Sequence, residues 1–172
     1  MDYVYHWASP LGGMLMAGDG EALTGLWFEG QKYFSATLSE AHEERLTPVF
    51  EGTIRWLETY FSGAATDFTP PMSPNGTPFR RAVWDVLLTI PFGQTMTYGE
   101  IAAIIAAKRG LAHLSPQAVG GAVGHNPIAI IIPCHRVLGA NGSLTGYAGG
   151  IERKRWLLEM EGRGERGTWT SA

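Results

Sequence analysis

Ile128-Ala129-Ile130-Ile131-Ile132-Pro133-Cys134-His135-Arg136-Val137 is the stretch on which the reading of this chain turns. Five consecutive apolar residues read as a buried strand, and Pro133 ends it because proline brings no N–H to a ladder. The only cysteine in the chain follows immediately. A lone thiol can form neither an intramolecular disulfide nor a multi-thiolate zinc site. It stands next to a histidine and an arginine, and a cation-rich setting lowers a thiol pKa and yields the nucleophilic thiolate. A free thiol with a pKa near 8.5 is only about 3% ionised at pH 7, whereas a pKa near 6 makes it about 90% thiolate. The expectation is a reactive cysteine. The alternative is an inert one, since free cysteines are among the most buried residues.

Outward from this segment, 172 residues with 45% hydrophobic and 17% charged side chains suit one sizeable domain or two small ones. No run approaches the ~18 apolar residues of a membrane span. Met1-Asp2-Tyr3-Val4-Tyr5-His6-Trp7 lacks the basic and apolar regions of a signal peptide. An unpaired cysteine without an export signal fits a reducing cytoplasm. The net charge of −3 conceals an asymmetry. Residues 1–78 hold ten acids and three bases, a net of −7, and residues 79–172 hold six acids and ten bases, a net of +4. The basic half contains Cys134. Local positive charge is the footprint of polyanion binding, although on its own +4 is more commonly just a solvated basic face.

Two domains are expected, 1–75 and 76–172. In the first, Tyr3–Trp7, the Ser9–Gly13 turn, Gly18-Asp19-Gly20 and Leu23–Phe28 read as a β-meander, with 31–49 ambiguous. Ile54, Leu57, Tyr60 and Phe61 give Phe50–Phe61 the spacing of an amphipathic helix. The proline-rich run Thr69–Gly76 is the clearest linker. Beyond it, Thr77-Pro78 opens a helix to about Ile90, with Phe79, Val83, Trp84, Leu87 and Leu88 on one face. Thr97 caps a helix over Tyr98–Ala107, and Ser115-Pro116 opens another to about Gly124. Two short helices joined in this way resemble a helix-turn-helix, which as a bare pattern is also a common packing unit. Gly120-Gly121 inside the second helix is unfavourable by about 1 kcal/mol per glycine relative to alanine. Close approach of another backbone, protein or nucleic acid, gives it a reason. Glu152–Glu161 closes as a helix with Trp156, Leu157 and Met160 inward, and the tail after Gly162 reads as loosely ordered. The fold class expected is α+β: a small N-terminal α/β domain with an antiparallel sheet, then a mostly helical domain with a helix-turn-helix.

A cysteine nucleophile works with a base and a group that orients the base. His135 is the nearest base, but adjacent side chains project differently, so a bridging water or a tight turn is needed between them. Glu161 is the candidate orienter. Its alternative is an ordinary surface carboxylate at a helix end.

At this level of detail the chain resembles the methylated-DNA–protein-cysteine methyltransferases, which repair 6-O-alkylguanine in DNA directly. The resemblance covers roughly residues 77–161. It is carried by Pro133–Val137, Thr77-Pro78-Phe79 with Val83-Trp84, Tyr98-Gly99-Glu100-Ile101-Ala102 and Ala118–Ala122. Asn126-Pro127, Gly146-Tyr147, Gly149-Gly150 and Trp156-Leu157-Leu158 to Glu161 extend it. The first 75 residues match only as the family's variable N-terminal domain.

The resemblance implies a mechanism and a set of roles. Glu161 orients His135, which takes the proton of Cys134 through a water, and the thiolate accepts the alkyl group irreversibly, once per molecule. Tyr98 donates to the flipped base, and Asn126 holds the two halves of the active-site region together. The carbonyls of Cys134 and Val137 read the guanine amino group. Tyr147 walls the pocket, and the backbone N–H of Ala148 faces the substrate oxygen where relatives often carry serine. Ser115, Gln117, Ala118, Gly120, Gly121 and Arg136 are the expected DNA-binding residues, the small ones suiting a minor groove.

Gln117 stands where many relatives place an arginine that enters the duplex, which implies weaker duplex binding. The resemblance further implies double-stranded DNA carrying alkylated guanine as the partner, a monomer, and neither cofactor nor metal. With no cysteine before Cys134, the structural zinc of some relatives is not expected. The alkylated form is expected to be less stable. Methyl against larger alkyl groups, and guanine against 4-O-methylthymine, stay open. The rival readings are a cysteine hydrolase, with its base among His6, His42, His113 and His125, and a non-catalytic damage binder. Binders of that kind replace the cysteine that is present here.

Overall fold

The computed structural model describes residues 1–162 and 170–171. Two compact units emerge: residues 1–75 together with 127–131, and 76–126 together with the residues from 132 onward. The apolar run before Cys134 thus leaves the second unit for five residues and returns.

In the first unit, β1 (Asp2–Ser9), β2 (Gly12–Gly18) and β3 (Leu23–Phe28) form the antiparallel meander read from the sequence. The ambiguous 31–49 region supplies β4 (His42–Glu44), which joins β1 in parallel, so the sheet is mixed in the order β3-β2-β1-β4. Val4, Leu15, Ala17 and Trp27 form one apolar cluster, covered by Leu38. The helix α1 (Pro48–Phe61) starts where the Thr47 hydroxyl accepts the Phe50 N–H at 3.3 Å, with Pro48 in the first turn. Its buried face is Phe50, Thr53, Trp56, Leu57 and Tyr60, which leaves Ile54 and Phe61 only partly covered.

The segment Pro127–Ile131 belongs to this unit, but it is not the strand that its composition suggests. Leu26 donates to the Pro127 carbonyl at 2.7 Å and accepts from Ala129 at 2.8 Å, a single bridge beside β3. The Ile131 N–H then donates to the Ala129 carbonyl across Ile130, whose φ is +70°. That three-residue turn is strained for a β-branched side chain. Burial of every residue from Ile128 to Ile132 supplies the compensation. Apolar content therefore measured burial correctly and said nothing of the backbone path.

In the second unit, α2 (Pro78–Leu87) is capped by Thr77 and ends before the expected Ile90, where turn hydrogen bonds take over. Gly76 is required ahead of it, because a Cβ there would stand 2.4 Å from the Trp84 ring. The Trp84 indole donates to the Ala122 carbonyl at 2.9 Å, joining α2 to a later helix. The short β5 (Met96–Thr97) precedes α3 (Tyr98–Arg109). There Thr97 and Glu100 form a reciprocal capping box, and Gly110 ends the helix at φ +66°. The helix α4 (Pro116–Gly124) is capped by Ser115 and packs on both α2 and α3, completing the helix-turn-helix pair.

Pro133 makes a second three-residue turn, with Cys134 N–H donating to the Ile132 carbonyl at 2.8 Å. One 3₁₀ turn, Cys134–Arg136, leads into β6 (Val137–Leu138), which pairs with β5. After β7 (Ser143–Leu144) comes α5 (Ile151–Glu161), and β8 (Thr170–Ser171) pairs with β7. Apart from β8, the tail after Gly162 lies outside the described residues.

Candidate active site

The 3₁₀ turn carries three consecutive side chains inward: Cys134 is 6% exposed, His135 0% and Arg136 8%. Two of the three, His135 and Arg136, converge on Glu161, while Cys134 points elsewhere. His135 Nε2 lies 2.6 Å from Glu161 Oε2 at the end of α5. Arg136 donates from Nε to Glu161 Oε1 at 2.8 Å, from Nη2 to Oε2 at 3.2 Å, and from Nη1 to the Ile90 carbonyl at 2.7 Å. The Gly93 N–H adds a bond to Oε1 at 3.1 Å. Glu161 is buried and is no surface carboxylate.

The electrostatics follow from this geometry. Burial alone would raise the Glu161 pKa, but His135 and the hydrogen bonds from His135 and Arg136 hold it far below the usual 4.5. The ionised carboxylate only accepts, so the imidazole must carry its proton on Nε2 and its lone pair on Nδ1. Burial lowers the His135 pKa below its ordinary 6.5 against the pull of Glu161, which keeps the ring neutral. Burial pushes the Cys134 thiol up, only partly offset by a hydrogen bond from Asn126 and the charge of Lys154. This corrects the expectation of a thiolate held by neighbouring cations. Arg136 faces Glu161, and desolvation dominates at the sulfur. The resting pair is a neutral thiol beside a neutral imidazole.

Asn126 is buried and donates from Nδ2 to the Ile132 carbonyl at 2.8 Å, tying together the two residues that flank the 127–131 excursion. Tyr98, at the start of α3, lies close enough to Cys134 for the two groups to couple. Burial raises its phenol pKa, with the Thr145 hydroxyl acting the other way. The Tyr147 hydroxyl is buried without a hydrogen-bond partner, and burial raises its pKa well above the ordinary value. Ala148 lies on the same loop, which closes with the Gly150 N–H on the Tyr147 carbonyl at 2.9 Å. The Cys134 carbonyl already accepts the Val137 N–H and keeps one lone pair free.

The DNA-facing expectation divides. Gln117, Ala118 and Gly121 form an exposed face of α4 opposite buried Val119, Ala122 and Val123. A Cβ on Gly121 would meet nothing within 4 Å and one on Gly120 would only touch the Tyr98 ring at 3.8 Å, so packing within the described residues requires neither glycine. Ser115 serves as the helix cap. Arg136, expected at this surface, is instead buried against Glu161 and Ile90, because a guanidinium is needed to balance the internal carboxylate. Of the rival bases, His6 and His42 lie in the first unit, and His125 Nδ1 sits 2.8 Å from the Gly121 carbonyl.

Lys154, one of the ten bases of the second half of the chain, is fully buried and coupled to Cys134. Its signal was available in the spacing Lys154, Leu157, Leu158, Glu161, which is one helical face. Among the described residues no cluster of three His, Cys, Asp or Glu could hold a metal, and no helix is long and apolar enough to cross a membrane.

Comparison with known proteins places this geometry in context. Residues 78–163 match the model of the 6-O-methylguanine DNA methyltransferase DNA binding domain, and residues 3–74 match that of the ribonuclease-like domain of the same proteins. The methylated-DNA–protein-cysteine methyltransferase of Mycobacterium bovis is 49% identical over 89% of this chain and 88% of its own. That of Haemophilus influenzae is 42% identical over 92% and 86%. A crystal structure of Mycobacterium tuberculosis OGT in complex with DNA superposes with a TM-score of 0.80 at 45% identity, covering 94% of this chain and 93% of that one.

His135 and Glu161 both bind fewer protons folded than unfolded, so both make the fold acid-sensitive. The His135 contribution is complete above the ordinary 6.5 and is lost as pH falls below it, and that of Glu161 is lost below 4.5. Thermal unfolding of the wild type is expected to fall from about pH 7.5 to about pH 5.5, and more steeply than that of His135→Gln. Parallel slopes would contradict the buried neutral imidazole.

Proposed function

The chain belongs to the methylated-DNA–protein-cysteine methyltransferase family, and from that premise we propose that it repairs DNA by moving the alkyl group of 6-O-alkylguanine onto Cys134. The observation that carries this reading is the buried Glu161–His135 pair, 2.6 Å apart, adjoining the single cysteine.

A neutral imidazole is a base and a neutral thiol is an acid, so the pair is poised rather than pre-ionised. With Nε2–H held by Glu161, the Nδ1 lone pair of His135 receives the thiol proton through a water, and Glu161 stabilises the imidazolium that forms. The Cys134 sulfur then attacks the alkyl carbon in line; the S–C bond forms as the C–O bond breaks, and guanine leaves with the electron pair. Tyr98 donates to the flipped base and assists that departure. The buried Tyr147 hydroxyl, without a protein partner, supports a pocket whose polar inventory is completed by a ligand. The Cys134 and Val137 carbonyls and the Ala148 N–H are the recognition groups assigned to guanine, and Asn126 holds the turn that presents the sulfur.

The base must leave the stack to be reached, a few kcal/mol that is least for a damaged pair. The exposed Gln117–Ala118–Gly121 face of α4 is the surface proposed for the duplex, with Ser115 and Gly120 at its edges. Double-stranded DNA with alkylated guanine is the partner, residues 76–172 act, residues 1–75 support, and the protein works as a monomer in the cytoplasm. No step returns the thioether to a thiol, so each molecule reacts once. Alkylation also puts a bulkier neutral group into a packed site and lowers its stability.

Intact-protein mass after mixing with a duplex bearing one 6-O-methylguanine tests the reading. One methyl gain at one equivalent is expected, absent in Cys134→Ala; binding without mass gain would mean a damage binder, and no binding would reopen the hydrolase reading. Gln117→Arg adds charge and stacking area where the flipped base had been. It is expected to tighten binding to methylated duplex several-fold, about 1 kcal/mol, in a titration at fixed salt. Unchanged or weaker affinity would refute the role given to Gln117.

A further inference from the structure

A lysine in the interior is the least expected residue of the second unit. Lys154 is 0% exposed, and its ammonium makes one protein hydrogen bond, to the Thr145 carbonyl at 3.2 Å. Among the described residues no carboxylate pairs with it, since Glu161 is occupied by His135 and Arg136. A buried ammonium without an anion is strongly disfavoured, so either it discharges or an anion must appear beside it. Leu157 and Leu158 on the same face of α5 show that an apolar side chain would suit this location.

The groups that face it identify the anion. Cys134 on the 3₁₀ turn acts on the lysine charge and is acted on in return, and His135 on the same turn feels it unfavourably. Tyr98 on α3 and Tyr147 on the loop before α5 are each coupled to Cys134, and Arg153 and Glu161 of α5 also act on Tyr147. Of these groups only the thiol becomes an anion during the reaction and stops being able to after it.

We propose that Lys154 is a positioning residue that serves as counter-ion to the Cys134 thiolate, and that alkylation of Cys134 removes the one anion its buried ammonium can acquire. This rests on the alkyl-transfer reading above. When the thiol proton passes to His135, the sulfur becomes negative beside a lysine that keeps its own proton, so the ion pair forms inside the site and not in the resting protein. Burial lowers the Lys154 pKa from 10.5 to about 8, which leaves it mostly protonated near neutral pH. Once the S–C bond has formed the sulfur can no longer ionise, so the support that a thiolate would lend the ammonium as pH rises is gone. The lysine then loses its proton to solvent at a lower pH than before. The charge thus serves the reaction and can gain no partner in the product.

The test needs no DNA, so its failure is separable from failure of the repair assay. Thiolate ultraviolet absorbance of the full chain is followed from about pH 6 to about pH 10, with Cys134→Ser as the blank, in wild type, Lys154→Met and Lys154→Arg. Loss of the charge in Lys154→Met is expected to raise the thiol pKa by about one unit or more, a roughly tenfold loss of thiolate at neutral pH. Lys154→Arg is expected to retain most of the wild-type value. Lys154→Met is also expected to be at least as stable as wild type, as replacing a buried ion by an apolar group often is. A Lys154→Met curve that overlays the wild type would overturn the proposal. Should that variant fail to fold, the Cε resonance of ¹³C-lysine in the wild type gives the Lys154 pKa before and after methylation of Cys134 with iodomethane. A lower pKa after methylation supports the proposal and an unchanged one overturns it.

Discussion

The Glu161 carboxylate accepts from His135 Nε2, from Arg136 twice and from the Gly93 backbone, and the site depends on that arrangement. A buried carboxylate is tolerable only when its lone pairs are filled and its charge is balanced. Here the filling is asymmetric. Arg136 supplies the charge and His135 the orientation, so the imidazole can remain neutral and keep a basic nitrogen. If the arginine were turned to solvent, the histidine would be the sole counter-ion of Glu161 and would be drawn towards its protonated form. The inward position of Arg136 is therefore a condition for the chemistry.

Two three-residue turns and a 3₁₀ turn do for the backbone what Glu161 does for the side chains. Ile130 and Pro133 reverse the chain sharply on either side of Ile131 and Ile132, and Asn126 fixes the result through the Ile132 carbonyl. A strand entering the site would send alternate side chains to opposite faces. The turn brings His135 and Arg136 onto one carboxylate, Glu161, while Cys134 is carried inward from the same loop of chain. The sulfur ends up desolvated and neutral, next to a lysine whose charge acquires value only when the proton leaves.

Most of the architecture was legible in the sequence because its signals were local. The Thr-Pro and Ser-Pro starts of α2 and α4, the Thr97 cap of α3 and the Gly-rich turns of the meander each encode their own structure within a few residues. Cys134, His135, Glu161, Asn126 and Tyr98 are legible from one segment and a family resemblance; all lie in one unit, with His135 on Glu161 and with Tyr98 and Asn126 close enough to Cys134 to couple to it. What failed was non-local. Whether Ile128–Ile132 is a strand, whether Arg136 faces water and whether the thiol is depressed or raised all depend on what packs around them. Lys154 escaped for a different reason: its place on the apolar face of α5 was readable, but a charged residue is assumed to be outside until something shows otherwise.

Nitrogen-15 spectroscopy of the His135 ring near neutral pH tests the central claim most directly. The account predicts a neutral imidazole protonated on Nε2, with Nδ1 bearing the lone pair, persisting below pH 6.5. An imidazolium at neutral pH, or the proton on Nδ1, would contradict it, since neither form could take the Cys134 proton.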